Sequence, residues 1–150
     1  MNKIITILLT FLLLTGCGYT PIYSGKNSDF KLKNIISAKK DPLNFTVERR
    51  LQNFSNEESQ KIISLRVDTQ KKINILSKDS KGDPSRYEMI IDIKLEANYR
   101  QNQSIKQSFR ESFNYNTNTN KFELNQYEKE IENLLINKNI EQIITFLSSF

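Results

Sequence analysis

The chain contains no histidine, no tryptophan and a single cysteine among its 150 residues. Without histidine it lacks the commonest general base and the commonest metal ligand in proteins. One cysteine excludes an internal disulfide and a zinc site built on several thiolates. Only four glycines are present, and they form no Gly-rich phosphate-binding loop. These absences predict a protein that is not an enzyme and that has no metal site and no cofactor.

The charge of the chain is nearly balanced, with a mild positive excess. There are 22 Lys and Arg residues against 17 Asp and Glu residues, which gives a net charge of +5. The basic side chains are interspersed with acidic ones and form no single stripe, which argues against nucleic-acid binding. An enzyme on a Ser-Lys or two-carboxylate site is a weaker alternative, because Ser64, Ser85 and Ser104 lie in no nucleophile motif.

The N-terminus has the three parts of a secretory signal peptide, predicted over residues 1–16. Lys3 supplies the positive charge, residues 4–14 form the apolar segment, and Thr15 and Gly16 are the small residues before cleavage. The apolar segment is too short for a transmembrane helix, which needs about 20 residues. Its removal leaves a chain of ordinary size for one domain.

The only cysteine, Cys17, lies directly after this segment. The sequence LTGC at positions 14–17 resembles the lipobox of bacterial lipoproteins, which implies cleavage between Gly16 and Cys17 and a diacylglycerol on the thiol. Two or more acyl chains anchor a protein stably. Gly18 stands where an aspartate usually retains such proteins in the inner membrane, so the resemblance implies the outer membrane. The alternative is an ordinary signal peptide with a chance cysteine.

The next segments predict a strand and a short helix. Residues 17–29 form a lipidated tether, and residues 30–36 alternate like a strand with Phe30, Leu32 and Ile36 on one face. Asp41 is predicted to cap a helix that begins at Pro42. The apolar stripe of this helix consists of Leu43, Val47, Leu51 and Phe54.

Three further strands follow from alternation of apolar and polar residues. The inward positions of the first of them are Ile63, Leu65, Val67, Ile73 and Ile75. Its polar middle, residues 69–71, predicts a bulge or a more exposed section. A turn at residues 81–84 leads to the clearest strand, residues 87–99, with one apolar and one wet face. Residues 105–115 give the last strand.

A capping pattern at Asn120 and Glu123 begins a long amphipathic helix up to Leu147. Its apolar stripe is predicted to face the core, and a helix lying on a membrane is the alternative. The order β-α-β-β-β-α predicts an α+β domain over residues 30–150. In this domain two helices pack on one face of a roughly four-stranded mixed or antiparallel sheet, in two layers. The strand order remains open.

The order of elements resembles that of the lipopolysaccharide-assembly lipoprotein family, LptE. Three segments carry the resemblance, namely the mature start CGYTPIY at 17–23, RYEM at 86–89 and FRESFNY at 109–115. The resemblance implies a lipid-anchored protein of the outer membrane that lies in the lumen of the barrel LptD as plug and assembly partner. It implies that this heterodimer moves lipopolysaccharide to the outer leaflet.

Lipopolysaccharide carries phosphates, so basic side chains in loops are the candidate ligands. Lys78, Lys81 and Arg86 lie around the turn between two strands, and Lys121 lies before the last helix. The alternative is that these are solvated loop residues. For the whole protein, the alternative function is that of another periplasm-facing outer-membrane lipoprotein, such as an accessory of outer-membrane protein assembly.

Overall fold

The computed structural model describes residues 28–99 and 104–150. The predicted signal peptide and most of the tether, including Gly16 and Cys17, lie outside the described residues. The described elements are β1 (Lys31–Ser37), α1 (Pro42–Gln52), β2 (Ile62–Lys78), β3 (Pro84–Tyr99), β4 (Ser104–Asn116) and α2 (Lys121–Ser148). This order confirms the predicted β-α-β-β-β-α arrangement.

The strands form one mixed sheet in the order β1-β2-β3-β4. β1 pairs with β2 in parallel, and the other two pairs are antiparallel. α1 packs on β1 and β2, α2 packs on β3 and β4, and the helices touch each other. Both helices therefore cover one face of the sheet, which confirms the two-layer α+β prediction. No helix within the described residues is long and apolar enough to cross a membrane.

The core lies between the sheet and the two helices. Alternation buries Ile63, Leu65 and Val67 of β2. The stripe of α1 is buried at Val47 and Leu51, as predicted. The stripe of α2 is buried over most of its length, at Ile131, Leu135, Ile136, Ile140, Ile143, Ile144 and Leu147. This apolar stripe packs against the sheet as the sequence predicted, except that Tyr127 and Leu134, which share its spacing, are each 43% exposed.

Both helices begin as the capping patterns predict. Asp41 Oδ1 accepts the Asn44 backbone N–H at 2.8 Å, and Pro42 is the first residue of α1. Asn120 Oδ1 accepts the backbone N–H of Phe122 at 3.0 Å. The Glu123 carboxylate differs from the expected capping box, because it accepts the side-chain amide of Asn120 rather than its backbone N–H.

One prediction in β1 is wrong. The pairing of β1 with β2 shifts between Leu32 and Asn34. A single extra residue turns every later side chain to the opposite face. Ile36, predicted inward with Leu32, therefore lies opposite Arg66 on the wet face, and Ile35 faces the helices in its place. Ile36 is accordingly 54% exposed.

The polar middle of β2 contains no bulge, which was one of the two structures predicted for it. Residues 69–71 pair with β3 without interruption, so no bulge occurs there. Gln70 and Lys71 are exposed, as the other form predicted, whereas Thr69 is buried. The register shifts lie near the end of β2 instead, between Ile75 and Lys78.

Candidate functional site

The four candidate basic residues come from two segments that meet at one end of the sheet. β2 and β3 form a long hairpin, and Arg86 of β3 pairs with Asn116 at the end of β4. Beyond this pair, the Thr117 backbone N–H donates to the Ser85 carbonyl at 3.0 Å. The loop before α2 is thereby fixed to the hairpin, and Lys121 is the first residue of α2 rather than a residue before the helix as predicted. We call this end of the domain the hairpin end.

The turn of the hairpin is built around one carboxylate. Asp79 Oδ1 accepts the backbone N–H groups of Lys81 and Asp83, each at 2.9 Å. Gly82 takes a φ of +88°, a left-handed conformation that glycine adopts without steric cost. The predicted turn at residues 81–84 is therefore confirmed. Since Asp79 is directed toward the backbone, its charge stabilises the turn itself.

The candidate cations are free to meet a ligand. Lys78, Lys81, Arg86 and Lys121 are all exposed. Within the described residues the ion pairs are Lys31–Glu57, Lys61–Asp29 and Lys71–Glu132, so none of the four takes part in one. Asp79 and Asp83 reduce the net charge of the turn. The structure thus brings the segments of all four residues to one end, and their role as ligands stays a prediction.

A set of tyrosines positions the start of α2 at this end. Tyr87 and Tyr115 stack with ring centroids 5.5 Å apart, and Tyr127 meets Tyr115 edge-on at 6.3 Å. The Tyr115 hydroxyl donates to Glu128 Oε1 at 2.7 Å. Burial, together with the hydrogen bond to this carboxylate, raises the pKa of Tyr115 well above its usual range. These contacts hold the first turns of α2, and hence Lys121, over β3 and β4.

Exposed apolar side chains at the hairpin end are a feature that the sequence pattern missed. Ile73 and Ile75 have the inward parity predicted for them, yet they are 41% and 52% exposed. Neither helix covers this part of β2, because α1 lies over the first half of the strand and the start of α2 lies over Tyr115. Leu76 and Phe122 are exposed at the same end. Cationic and apolar groups together suit an anionic amphiphile.

The described residues show no arrangement suited to a metal ion. No group of three acidic side chains within residues 28–99 and 104–150 lies close enough to hold one. The carboxylates near the hairpin end are instead hydrogen bonded to neutral groups. Glu88 Oε2 accepts the Asn74 amide at 3.0 Å, and Glu123 Oε2 accepts the Asn118 amide at 2.9 Å.

Comparison with known proteins adds information on the fold. No family model matches the chain, and no curated protein matches it in sequence. The crystal structure of rare lipoprotein B from Shewanella oneidensis has a TM-score of 0.57 and 16% identity, and the match covers 77% of this chain and 93% of that one.

Two further solved structures give the same result. A minor lipoprotein from Acinetobacter baumannii has a TM-score of 0.56 and 19% identity, over 79% of this chain and 90% of that one. The solution structure of lipoprotein B from Nitrosomonas europaea has a TM-score of 0.60 and 16% identity, over 82% and 87% respectively. At these identities the similarity concerns the fold, and this chain has the fold of these three bacterial lipoproteins.

Proposed function

We propose that this chain is a lipid-anchored outer-membrane protein of the LptE type. In this proposal it plugs and helps to assemble the LptD barrel, and it takes part in the transport of lipopolysaccharide to the outer leaflet without acting as an enzyme. The observation that carries the proposal is a combination. A fold shared with three lipoproteins over 87–93% of their lengths occurs in a chain whose own sequence has a lipobox at Cys17.

The wet face of the sheet supports the role of a plug. Its side chains are mainly polar and form short hydrogen bonds with one another, such as Ser108 Oγ to Asp92 Oδ1 at 2.6 Å and Ser104 Oγ to Glu96 Oε1 at 2.9 Å. Wide outer-membrane barrels have water-lined interiors that a folded domain can fill. A polar sheet surface suits such a wall better than it suits hydrocarbon.

The placement of the two ends supports a role in moving an amphiphile. The described chain begins at Ser28, whose carbonyl accepts the Asn56 amide near the start of β1. β1 and β2 start at the same end of the sheet, since Lys31 pairs with Ile62. β2 then runs for 17 residues, or about 55 Å, to the hairpin end. Ser28, the first described residue, thus lies at the opposite end of the sheet from the candidate cations.

The proposal is tested by purifying the full chain, tagged at its C-terminus, from detergent-solubilised outer membranes of the bacterium that produces it. Mass spectrometry identifies both the co-purified partner and the N-terminal peptide. We expect a large barrel of the LptD type and an acylated Cys17. The matched control, Cys17→Ser, removes the acylated thiol and is expected to lose the lipid and the membrane association.

Other outcomes of this experiment argue against the proposal in different ways. Acylated Cys17 with the barrel-insertion machinery as partner would favour the alternative, an accessory of outer-membrane protein assembly. An unmodified Cys17 would remove the anchor. The lipid on Cys17 and the identity of the partner are two independent readouts, so the anchor and the partnership are tested separately.

A further inference from the structure

The open edge of β1 borders an apolar groove that the proposed function does not use. β1 is the first strand of the sheet, and its outer edge has no neighbouring strand among the described residues. Between this edge and α1 runs a groove of about 720 Å³, which includes Ile35, Ile36, Pro42 and Phe45 in its lining. A second hollow of about 350 Å³ shares Ile35 and Phe45 and extends the groove along α1.

Apolar side chains stand on both sides of this edge. Phe45 of α1 is 62% exposed on the helical side, and Ile36 is exposed on the wet side. Ile35 is half-buried between them and packs against the core. A single exposed apolar residue is ordinary, whereas two flanking an open strand form the kind of surface on which an added strand packs.

The backbone of β1 offers free hydrogen-bonding groups to such a strand. The Ala38 N–H donates to the Val67 carbonyl at 2.8 Å, so it faces β2. Backbone N–H groups alternate in direction along an extended chain, which directs those of Ser37 and Ile35 toward the open edge. The carbonyl groups of an extended peptide can accept hydrogen bonds from these N–H groups, as those of a neighbouring strand do.

The rim of the groove is cationic. Lys39, Lys40 and Arg49 contribute to its lining, and none of them forms an ion pair within the described part of the chain. Asp41 and Glu48 also line the groove and keep their negative charge, although Asp41 caps α1 and Glu48 accepts a hydrogen bond from Ser37. Three cations against two carboxylates give these five side chains a net charge of +1, and none of the three cations is held in an ion pair among the described residues.

We propose that β1 is a docking edge for an extended, acidic segment of a partner protein, which adds to the sheet as a fifth strand. Alternate apolar side chains of the segment pack on Ile35 and Phe45. Its carboxylates lie near Lys39, Lys40 and Arg49. This inference does not rest on the proposed function, and it concerns a different edge from the hairpin end.

The charge distribution distinguishes this occupant from two others. A second copy of the chain, pairing β1 with β1, would bring two cationic rims together, and like charges across an interface are unfavourable. The chain's own residues 17–27 contain Lys26 and no acidic residue, so they lack the charge that complements the rim. An acidic partner segment can pair with the free backbone groups of β1, cover Ile35 and Phe45, and place carboxylates near the basic side chains of the rim.

The test measures binding of a fluorescein-labelled peptide to the full chain in detergent micelles by fluorescence anisotropy. The probe has seven residues, the length of β1, and alternates valine with glutamate. We expect saturable binding that weakens as salt is added. A peptide with lysine in place of glutamate should bind at least about tenfold more weakly. Methylation of alternate peptide amides, which prevents strand pairing, should abolish binding.

Variants of the chain locate the site. K39E/K40E and Phe45→Ser alter exposed side chains, so thermal melting should stay unchanged while each variant weakens binding by about tenfold or more. The matched control, K106E/R110E, reverses two cations on the wet face of β4 and should bind the peptide like the parent chain.

The inference is overturned if the valine-glutamate peptide does not bind, if the lysine peptide binds equally well, or if both groove variants bind normally. Dimerisation through β1, detected by sedimentation and disrupted by Phe45→Ser, would overturn it in favour of a second copy. Binding that appears only after deletion of residues 18–27 would overturn it in favour of the chain's own segment as occupant.

Discussion

The side chain of Asn44 accepts the hydrogen bond of the Thr69 backbone N–H, which no neighbouring strand accepts. The Thr69 backbone N–H donates to Asn44 Oδ1 at 2.8 Å, and both residues are buried. β1 has ended by this point, so no strand neighbour accepts this N–H group. The Asn44 amide nitrogen donates to the Lys39 carbonyl at 3.1 Å and to Asp41 Oδ2 at 3.0 Å. One side chain therefore joins the start of α1 to the sheet.

Asn44→Ala should lower the free energy of unfolding by about 1–3 kcal/mol, because it leaves the buried Thr69 N–H without an acceptor. Urea denaturation followed by circular dichroism measures the change. Asn125→Ala, which removes an exposed amide from α2, serves as the control and should change stability by less than about 0.5 kcal/mol. Equal effects of the two substitutions would contradict the role assigned to Asn44.

Elements and their faces could be predicted where local signals and periodicity agree. The alternation in β3 and the stripe of α2 persist over many residues, and Asp41 with Pro42 marks the start of α1 with side-chain chemistry. The bulge in β1 has no such signal, because either Ile35 or Ile36 can complete the apolar pattern. Only pairing with β2 decides between them.

The basic residues of the candidate site could be predicted from the sequence, whereas its exposed apolar residues could not. The resemblance implies lipopolysaccharide as ligand, and its phosphates then single out Lys78, Lys81, Arg86 and Lys121 as candidates. Their convergence depends on the contact between Thr117 and the hairpin. The exposure of Ile75 depends on how far each helix extends over β2. This is a property of tertiary packing that strand alternation does not contain.

The bulge in β1 leads to a second prediction that separates two adjacent residues of the same type. Ile35→Ser removes an apolar side chain that packs against the core and should lower the free energy of unfolding by about 1–2 kcal/mol. Ile36→Ser acts on an exposed side chain and should cost less than about 0.5 kcal/mol. Uninterrupted alternation from Leu32 predicts the reverse order. Urea denaturation of both variants decides, and a larger loss for Ile36→Ser would contradict the bulge.

The Tyr115–Glu128 hydrogen bond predicts a contribution to stability that depends on alkaline pH. The pKa of Tyr115 is raised in the folded state, so its contribution is complete below the unfolded tyrosine pKa of about 10 and decreases as pH rises above it. Stability should therefore fall between about pH 10 and pH 11, with a slope that Tyr115→Phe reduces. Denaturation at pH values from neutral to alkaline measures this slope.

Tyr127→Phe is the matched control for the alkaline slope, because Tyr127 is exposed and Tyr115 is buried. It should keep the slope of the parent chain. Lysines also lose charge in this pH range, but they do so equally in all three proteins, so the difference between variants isolates Tyr115. If Tyr115→Phe and the parent chain lose stability in parallel, the raised pKa of Tyr115 is not coupled to folding.

The proposed function makes a direct prediction for the hairpin end. Charge reversal of Lys78, Lys81 and Arg86 to glutamate should weaken lipopolysaccharide binding by the purified chain by about tenfold or more, since each cation would otherwise meet a phosphate. All three side chains are exposed, so the fold should be retained. Reversal of Lys94, Lys106 and Arg110 on the wet face changes the net charge equally and should have a much smaller effect. Binding measured at two salt concentrations should show the loss most clearly at low salt. If the two triple variants bind equally, net charge alone accounts for the interaction, and the hairpin end is not the site.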